Sequence, residues 1–251
     1  MQVVSKKWNT RFDSGRNYRA KIGYVVIPNE MTIEAEMIEH APEGVGMYFN
    51  RVMMPREIST ESLAKCVTGL AKAASEILPD DHLDVICYAC TSGTIAMGEE
   101  RTIEELQKGA PYAKPTTLAT SVVEALRAVS AKKIVAGCPY RDELATNAAN
   151  FFEIKGFEVL DFQGLNLDYD TDMIKISTDF IVEFARAIDR SEADTILLSC
   201  GAPRFMETVQ EIEEKTGKNV ICSNQAMLWN TLRMAGINDK LDGLGRLFRE
   251  H

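Results

Sequence analysis

The sequence predicts an α/β fold made of two similar lobes, each with a parallel β-sheet covered by helices. Three observations lead to this prediction: short apolar runs alternate with amphipathic segments, the runs are apolar almost throughout, and the pattern of the first half returns in the second. Strands of a parallel sheet are buried on both faces, so they are expected to lack the alternation of a half-exposed strand. The order of segments therefore indicates strand–helix–strand units with right-handed crossovers.

The expected strands begin near residue 20 and continue almost to the end of the chain. Eight apolar runs are interpreted as strands: residues 21–27, 45–52, 84–89, 116–120, 133–138, 157–162, 195–199 and 219–223. Helix-like stretches are found at residues 59–78, 121–131, 141–156 and 203–217. Ser59 or Thr60 is a candidate cap for the first of these helices. Gly156 and Gly217 stand where helices commonly end.

The chain repeats its pattern once. "KIGYVVIPN" at 21–29 has a counterpart in "KIVAGCPY" at 133–140, and "DVICYAC" at 84–90 has one in "DTILLSC" at 194–200. The spacing between the two motifs is nearly equal in the two halves, which favours a duplication. We therefore expect two flavodoxin-like (Rossmann-like) lobes related by a pseudo-twofold axis. Their strand ends would converge on one cleft, where ligands of such folds bind.

The repeat also predicts how the chain is divided into domains. The first lobe is expected to comprise residues 1–118 plus 226–251, because the last helix is interpreted as crossing back to it. The second lobe is expected to comprise residues 119–225.

Composition limits the classes of partner. The net charge of −9 disfavours nucleic acid and anionic membranes as main partners. No apolar run approaches the roughly 20 residues that a membrane helix needs, and the polar start lacks the apolar core of a secretory signal. We expect a cytoplasmic protein without cofactor or metal. Its expected partner is a small-molecule carboxylate substrate, and a homo-oligomer is one option for its assembly.

Each repeat places a cysteine directly after a buried strand, at a point where a helix is expected to begin. Backbone N–H groups at a helix start attract anions and lower the pKa of a thiol. Thr91 and Ser92 follow Cys90, and their hydroxyl and N–H groups can hold a carboxylate or an enediolate. With Cys90 on one side of a substrate and Cys200 on the other, one thiolate can remove a proton while the other thiol supplies one. Alternatively, one sulfur can add to a double bond.

The other cysteines indicate less. Cys87 and Cys90 have the CxxC spacing of redox and metal sites, but no second CxxC or nearby histidine completes such a site. Cys66, Cys138 and Cys222 are interpreted as small buried side chains. Cys138 and Cys222 also end strands, but they are not predicted to belong to the site because the residues after them are not interpreted as rich in hydroxyl groups.

The two-cysteine frame resembles the aspartate/glutamate racemase superfamily, and within it the branch of maleate cis-trans isomerases and arylmalonate decarboxylases. The similarity covers nearly the whole chain from Lys21. "DVICYACTSGTIAMG" at 84–98 looks like the first-cysteine motif of maleate isomerases, and "AKKIVAGCPYRDEL" at 131–144 looks like their strand followed by Pro-Tyr. Residues 197–236 are similar to the decarboxylase end of the branch. Racemase-like proteins linked to ectoine breakdown belong to the same branch.

The resemblance implies which residues form the site. They are a catalytic pair, Cys90 and Cys200, and a set of substrate-binding residues, Thr91, Ser92, Tyr140 and Gly201. Arylmalonate decarboxylases have glycine at the first cysteine position. The presence of Cys90 therefore favours isomerisation or racemisation over decarboxylation.

Two positions depart from the resemblance. Maleate isomerases hold substrate carboxylates through two asparagines, but Glu30 matches the first of them and Asp170 lies near the second. Carboxylates at these points would repel a dianion such as maleate. We therefore expect a substrate with one carboxylate and a positive or N–H-rich group, such as an amino acid or a cyclic derivative. In the alternative alignment, Asn29 takes the amide role and Glu30 points outward.

The sequence thus predicts a cofactor-independent racemase or isomerase of a small carboxylate. One alternative is an arylmalonate-type decarboxylase that protonates an enediolate through Cys200. The other is a non-catalytic protein that binds small carboxylates. Arg204, expected in the first turn of a helix, and Arg51 and Arg56, after the second strand, are further candidates to meet a carboxylate.

Overall fold

A computed structural model describes residues 3–53, 60–65 and 67–251. The predicted cap Ser59, the candidate Arg56 and Cys66 lie outside the described residues. Within them, eight strands are present: β1 (Ala20–Val26), β2 (Val45–Arg51), β3 (Val85–Tyr88), β4 (Lys114–Thr117), β5 (Lys133–Cys138), β6 (Glu158–Gly164), β7 (Thr195–Leu198) and β8 (Asn219–Cys222). Each of the eight predicted strands is therefore found.

Helices connect these strands. The first six are α1 (Ile33–Glu39), α2 (Thr60–Ala64), α3 (Val67–Ser75), α4 (Thr91–Met97), α5 (Glu99–Gly109) and α6 (Leu118–Ala128). The others are α7 (Asp142–Ile154), α8 (Asp170–Met173), α9 (Thr178–Ile188), α10 (Val209–Thr216), α11 (Ser223–Met234) and α12 (Gly245–Glu250), with a 3₁₀ turn at Met206–Thr208. Gly156 and Gly217 follow α7 and α10 with φ of 96° and 72°, so both end helices as predicted.

Two predicted boundaries are wrong. The fourth strand ends at Thr117, not at residue 120, because the Thr117 hydroxyl accepts a hydrogen bond from the Thr120 amide at 3.0 Å and starts α6. The single helix expected at 59–78 is two helices, α2 and α3, with a turn at Lys65.

The strands form two parallel sheets with the same topology. The first has the order β2-β1-β3-β4, and the second has the order β6-β5-β7-β8. The central strands β3 and β7 are buried along their whole length, as expected for sheets covered on both faces. The predicted α/β fold with two similar lobes is confirmed.

An aspartate has the same structural role in each lobe. The Asp84 carboxylate accepts a hydrogen bond from the Lys21 amide at 2.8 Å. The Asp194 carboxylate accepts from the amides of Lys132 and Lys133 at 3.0 and 2.9 Å. The aspartate that opens each cysteine motif therefore ties the start of that strand to the start of the neighbouring one.

The last two helices differ in their main contacts. Helix α11 packs against α6 and contacts α1, β3 and β4, whereas α12 packs against β8 and α10. The Tyr24 hydroxyl on β1 lies 2.8 Å from the Thr231 hydroxyl on α11. The domain boundaries, the oligomeric state and the location in the cell remain predictions. No helix of the described residues is long and apolar enough to cross a membrane.

Candidate active site

A buried cavity lies where the carboxyl ends of strands from both sheets meet. Apart from Asn29 and the further candidates Arg51 and Arg204, every described residue predicted for the site lines it: Glu30, Cys90, Thr91, Ser92, Tyr140, Asp170, Cys200 and Gly201. Apolar side chains that include Ile27, Ile33, Leu63 and Met173 form the rest of the wall. The two repeats thus bring one cysteine each to the same cavity.

Cys90 stands at the start of a helix, as predicted. It is the N-cap of α4, and its sulfur accepts a hydrogen bond from the Gly93 amide at 3.3 Å. The Ser92 hydroxyl lies 3.7 Å from the same sulfur. A Cβ atom on Gly93 would lie 2.5 Å from the Tyr88 hydroxyl and 3.0 Å from the Cys90 sulfur. A glycine at position 93 therefore lets Tyr88 and the helix start approach the thiol closely.

Cys200 does not stand at a helix start, and this prediction is wrong. The chain continues from Cys200 as bends until the 3₁₀ turn at Met206–Thr208. Arg204, expected in the first turn of a helix, precedes that turn and donates to the Ile176 carbonyl at 3.4 Å. Arg204 and Arg51 do not line the cavity.

Side chains from α11 and from the start of α1 hold the Cys200 loop instead. The Ser223 hydroxyl accepts from the Cys200 amide at 3.0 Å, and the Asn224 amide donates to the Gly201 carbonyl at 2.9 Å. The Thr32 hydroxyl donates to the Ala202 carbonyl at 2.6 Å. Because side chains engage these carbonyls, no helical ladder forms at this point.

Ser223, Asn224 and Thr32 were not identified from the sequence. Ser223 and Asn224 directly follow Cys222, a strand-end cysteine that the sequence prediction leaves out of the site. The same signal that identified Thr91 and Ser92 after Cys90 was therefore present after Cys222.

Burial raises the pKa of the Cys90 and Cys200 thiols, which is opposite to the expected direction. Burial is the largest cause for Cys90, and the hydrogen bonds from the Gly93 amide and Ser92 offset it only in part. Burial also dominates at Cys200, where hydrogen bonds with Tyr140 and the Ala202 amide act in the other direction. A helix start stabilises a thiolate only to the extent that the site stays solvated. In the free protein, both thiols are therefore protonated at neutral pH.

Glu30 points into the cavity, so the alternative in which it points outward is wrong. One carboxylate oxygen of Glu30 accepts hydrogen bonds from the amides of Thr32 and Ile33 at 2.6 and 2.7 Å, at the start of α1. These bonds turn the side chain inward, whereas Asn29 is exposed and does not line the cavity. The other carboxylate oxygen of Glu30 is buried and has no hydrogen-bond partner among the described residues.

The cavity is acidic. Burial raises the pKa of Glu30, and burial together with the charge of Glu30 raises the pKa of Asp170 to about 6. Among the described residues that line the cavity, none is lysine, arginine or histidine. Among all the residues that the structure describes, no group of three or more histidine, cysteine or acidic side chains is placed to hold a metal ion.

Glu36 is another buried carboxyl group, and it contacts Asn224, whose side chain also binds the Gly201 carbonyl. The Asn224 amide donates to it at 2.6 Å, and burial raises its pKa to about 8. A carboxyl group whose pKa is higher in the folded state stabilises the protein fully at low pH. That contribution is lost as the pH rises from the unfolded value of about 4.5 through the folded value of about 8.

We expect Glu36→Gln to remove this pH dependence, because glutamine keeps an acceptor for Asn224 and does not ionise. Relative to the wild type, the variant should gain on the order of 3 kcal/mol of unfolding free energy between pH 5 and pH 9. Urea unfolding at both pH values measures the gain. Glu39→Gln, an exposed change on the same helix, is the control. Equal pH dependence in the wild type and in Glu36→Gln would contradict the assignment.

Comparison with known proteins agrees with this geometry. The family model for arylmalonate decarboxylase matches residues 22–248. A maleate isomerase of Nocardia farcinica is 28% identical over 248 residues, which cover 92% of this chain and 96% of the relative. A solved structure of the N. farcinica maleate cis-trans isomerase, a mutant with a covalently bound succinylcysteine intermediate, has a TM-score of 0.83 and 27% identity. It covers 92% of this chain and 99% of that one.

A mutant of arylmalonate decarboxylase has the same fold, with a TM-score of 0.83 at 22% identity over 92% of this chain and 100% of that one. That mutant carries a glycine-to-cysteine and a cysteine-to-serine replacement. The predicted branch and its isomerase class are confirmed by these matches. This chain belongs to the arylmalonate decarboxylase family, and it is similar to maleate isomerases over nearly its whole length.

Proposed function

We propose that this chain is a cofactor-independent isomerase that acts on a small carboxylate held between Cys90 and Cys200. One observation carries the proposal: the matched cysteines of the two repeats line one buried cavity, together with Thr91, Ser92 and Tyr140. A binding protein has no need of two facing thiols beside hydroxyl and N–H donors. The arrangement supplies a thiol on each side of a substrate and a set of donors for its carboxylate.

The chemistry follows from these positions. In a racemisation, the Cys90 thiolate takes the proton next to the carboxylate, and the electron pair of that C–H bond forms an enediolate that Thr91 and Ser92 hold. The Cys200 thiol then returns a proton to the opposite face. In a cis-trans isomerisation, the Cys90 sulfur forms a C–S bond at one alkene carbon, and the electron pair of the double bond forms the enediolate. The former carbon–carbon double bond is now a single bond, and rotation occurs about it. The enediolate electron pair then forms the double bond again as the C–S bond breaks and the Cys90 thiolate leaves.

We assign the first step to Cys90 because of the groups that surround its sulfur. A thiolate there accepts a hydrogen bond from the Gly93 amide at the start of α4, and the Ser92 hydroxyl lies close to it. Cys200 has the hydroxyl of Tyr140 beside it and no helix start. In the reverse reaction, the two thiols exchange roles.

The substrate that fits this cavity carries a positive or N–H-rich group beside its one carboxylate. Glu30 and Asp170 line the cavity without a cationic partner there, so a second carboxylate on the substrate would meet repulsion. A cationic group would also lower the pKa of the buried thiols by electrostatic attraction, and so help to form the thiolate that the reaction needs. Amino acids and their cyclic derivatives have this combination of groups.

Incubation with candidate substrates in deuterated water tests the proposal. The panel comprises amino acids, proline-like cyclic amino acids, maleate and phenylmalonate, and proton NMR follows each of them. We expect exchange of the α-proton and inversion in an amino acid or a cyclic derivative. Loss of carbon dioxide from phenylmalonate, with deuterium only in the product, would instead show a decarboxylase. No reaction across the panel would contradict the isomerase, and conversion of maleate at a comparable rate would contradict the proposed substrate charge.

A further inference from the structure

Ser223 connects the segments that follow β3 and β7, both of which carry predicted site residues. It is the first residue of α11, and its side chain is completely buried. Its hydroxyl oxygen lies 3.0 Å from the Cys200 amide nitrogen and 3.2 Å from the Thr91 hydroxyl oxygen. Thr91 follows the first cysteine and Cys200 is the second. One hydroxyl group therefore contacts the segment that follows the cysteine-bearing strand in each lobe.

The direction of these hydrogen bonds follows from counting protons. The Cys200 amide can only donate, so the Ser223 oxygen accepts from it. If Thr91 also donated to Ser223, the Ser223 proton would be buried without an acceptor, since its hydroxyl makes no other hydrogen bond with the described residues. A buried donor without a partner costs about 1–3 kcal/mol. The favoured chain therefore runs from the Cys200 amide to Ser223 and from the Ser223 proton to Thr91.

This direction leaves the Thr91 proton free to point into the cavity, which Thr91 lines. A hydroxyl whose oxygen already accepts a hydrogen bond is a better donor, because hydrogen bonds in a chain polarise one another. An incoming carboxylate oxygen is an acceptor that suits it. Ser223 thus sets the orientation of the Thr91 hydroxyl without itself lining the cavity.

We propose that Ser223 is a positioning residue that aims the Thr91 hydroxyl at the substrate carboxylate and fixes the backbone of Cys200. The inference rests on the carboxylate position in the proposed function. It adds a residue that links the two lobes: the Thr91 hydroxyl in the first lobe and the Cys200 backbone amide in the second contact the same hydroxyl group.

Thiol alkylation tests this inference without a known substrate. Iodoacetate carries a carboxylate and iodoacetamide does not, but both alkylate the same thiolate, so the ratio of their rates cancels the effect of the thiol pKa. Peptide mass spectrometry gives the rates at Cys90 and Cys200, and glutathione gives the reference ratio. In the wild type, we expect the iodoacetate-to-iodoacetamide ratio to exceed that of glutathione. In Ser223→Ala, it should fall about tenfold.

A matched control is available one residue before Cys200. Ser199 is also completely buried, and its hydroxyl has no hydrogen-bond partner among the described residues. Ser199→Ala removes the same atom at the same depth and should leave the ratio unchanged. A similar fall in Ser199→Ala would show that any buried change near Cys200 lowers the ratio, and would overturn the inference.

A double-mutant cycle separates positioning from a structural effect. Thr91→Val removes the donor that Ser223 aims, so it should lower the ratio as Ser223→Ala does, and the two changes together should lower it no further. Thr91→Val alone tests the same chain if Ser223→Ala does not fold. Full additivity, or a wild-type ratio equal to that of glutathione, would overturn the inference. If the iodoacetate-to-iodoacetamide ratio falls in Ser223→Ala but no candidate substrate is turned over, the role of Ser223 is supported and the proposed function fails.

Discussion

Replacing either Cys90 or Cys200 with alanine is expected to lower turnover of the substrate by at least about 10³-fold. In the proposed mechanism, each change removes the thiol that serves one face of the substrate, and the other thiol serves the opposite face. Both sulfur atoms line the cavity in the free protein, so the loss should appear in kcat and in kcat/KM alike. Exchange and inversion, followed by NMR and by chiral separation, measure the effect.

Cys87→Ala is the matched control for this loss. Cys87 is completely buried on β3, three residues before Cys90, and it does not line the cavity. Removing its sulfur should cost roughly 1 kcal/mol of unfolding free energy and leave turnover within a few fold of the wild type. Full activity in either Cys90→Ala or Cys200→Ala would end the two-thiol mechanism. Loss in Cys200→Ala alone would favour the decarboxylase, which needs a single proton donor.

Exchanging the cavity carboxylates for amides is expected to change the charge of the preferred substrate. In the double variant Glu30→Gln, Asp170→Asn, kcat/KM for a zwitterionic substrate should fall about 10²-fold, because two nearby opposite charges are lost in a poorly solvated cavity. Turnover of maleate should be faster in the double variant than in the wild type, because the two protein carboxylates that repel the maleate dianion are removed. Glutamine at position 30 keeps an oxygen that can accept hydrogen bonds from the amides of Thr32 and Ile33. Helix α1 should therefore still begin at the same residue.

Glu34→Gln is the control for this exchange of charge. Glu34 lies on the same helix and pairs with Arg51 outside the cavity, with 2.7 Å between the charged atoms. Its removal changes the net charge by the same amount as each single variant but should not alter the ratio of the two substrates. An unchanged ratio in the double variant would mean that Glu30 and Asp170 do not face the charged group of the substrate.

The residues that could be predicted belong to local, repeated motifs. Cys90, Cys200 and the hydroxyl residues after Cys90 follow strands, and parallel strands deliver such residues to one sheet edge wherever the lobes meet. The residues that were missed act across the structure. Ser223 and Asn224 serve the loop of another strand, and only the packing of α11 brings them there.

The direction of the thiol pKa shifts could not be read from the sequence for the same reason. A helix start is visible in a motif, but the depth of burial depends on how the two lobes and α11 close over the cavity. The orientation of Glu30 was one of two alternatives in the sequence. It is decided by the amides of Thr32 and Ile33, whose position depends on where α1 begins.

The burial of the two thiols also bears on how long the protein keeps its activity in air. Oxidation of cysteine follows thiolate character and exposure, and in the free protein Cys90 and Cys200 are buried and protonated. Peroxide and dissolved oxygen therefore meet an unreactive pair until a substrate occupies the cavity. In the proposed mechanism, the bound substrate lowers the thiol pKa and covers the thiolate that forms. We therefore expect Cys90 and Cys200 to be oxidised more slowly in the free protein than an exposed cysteine.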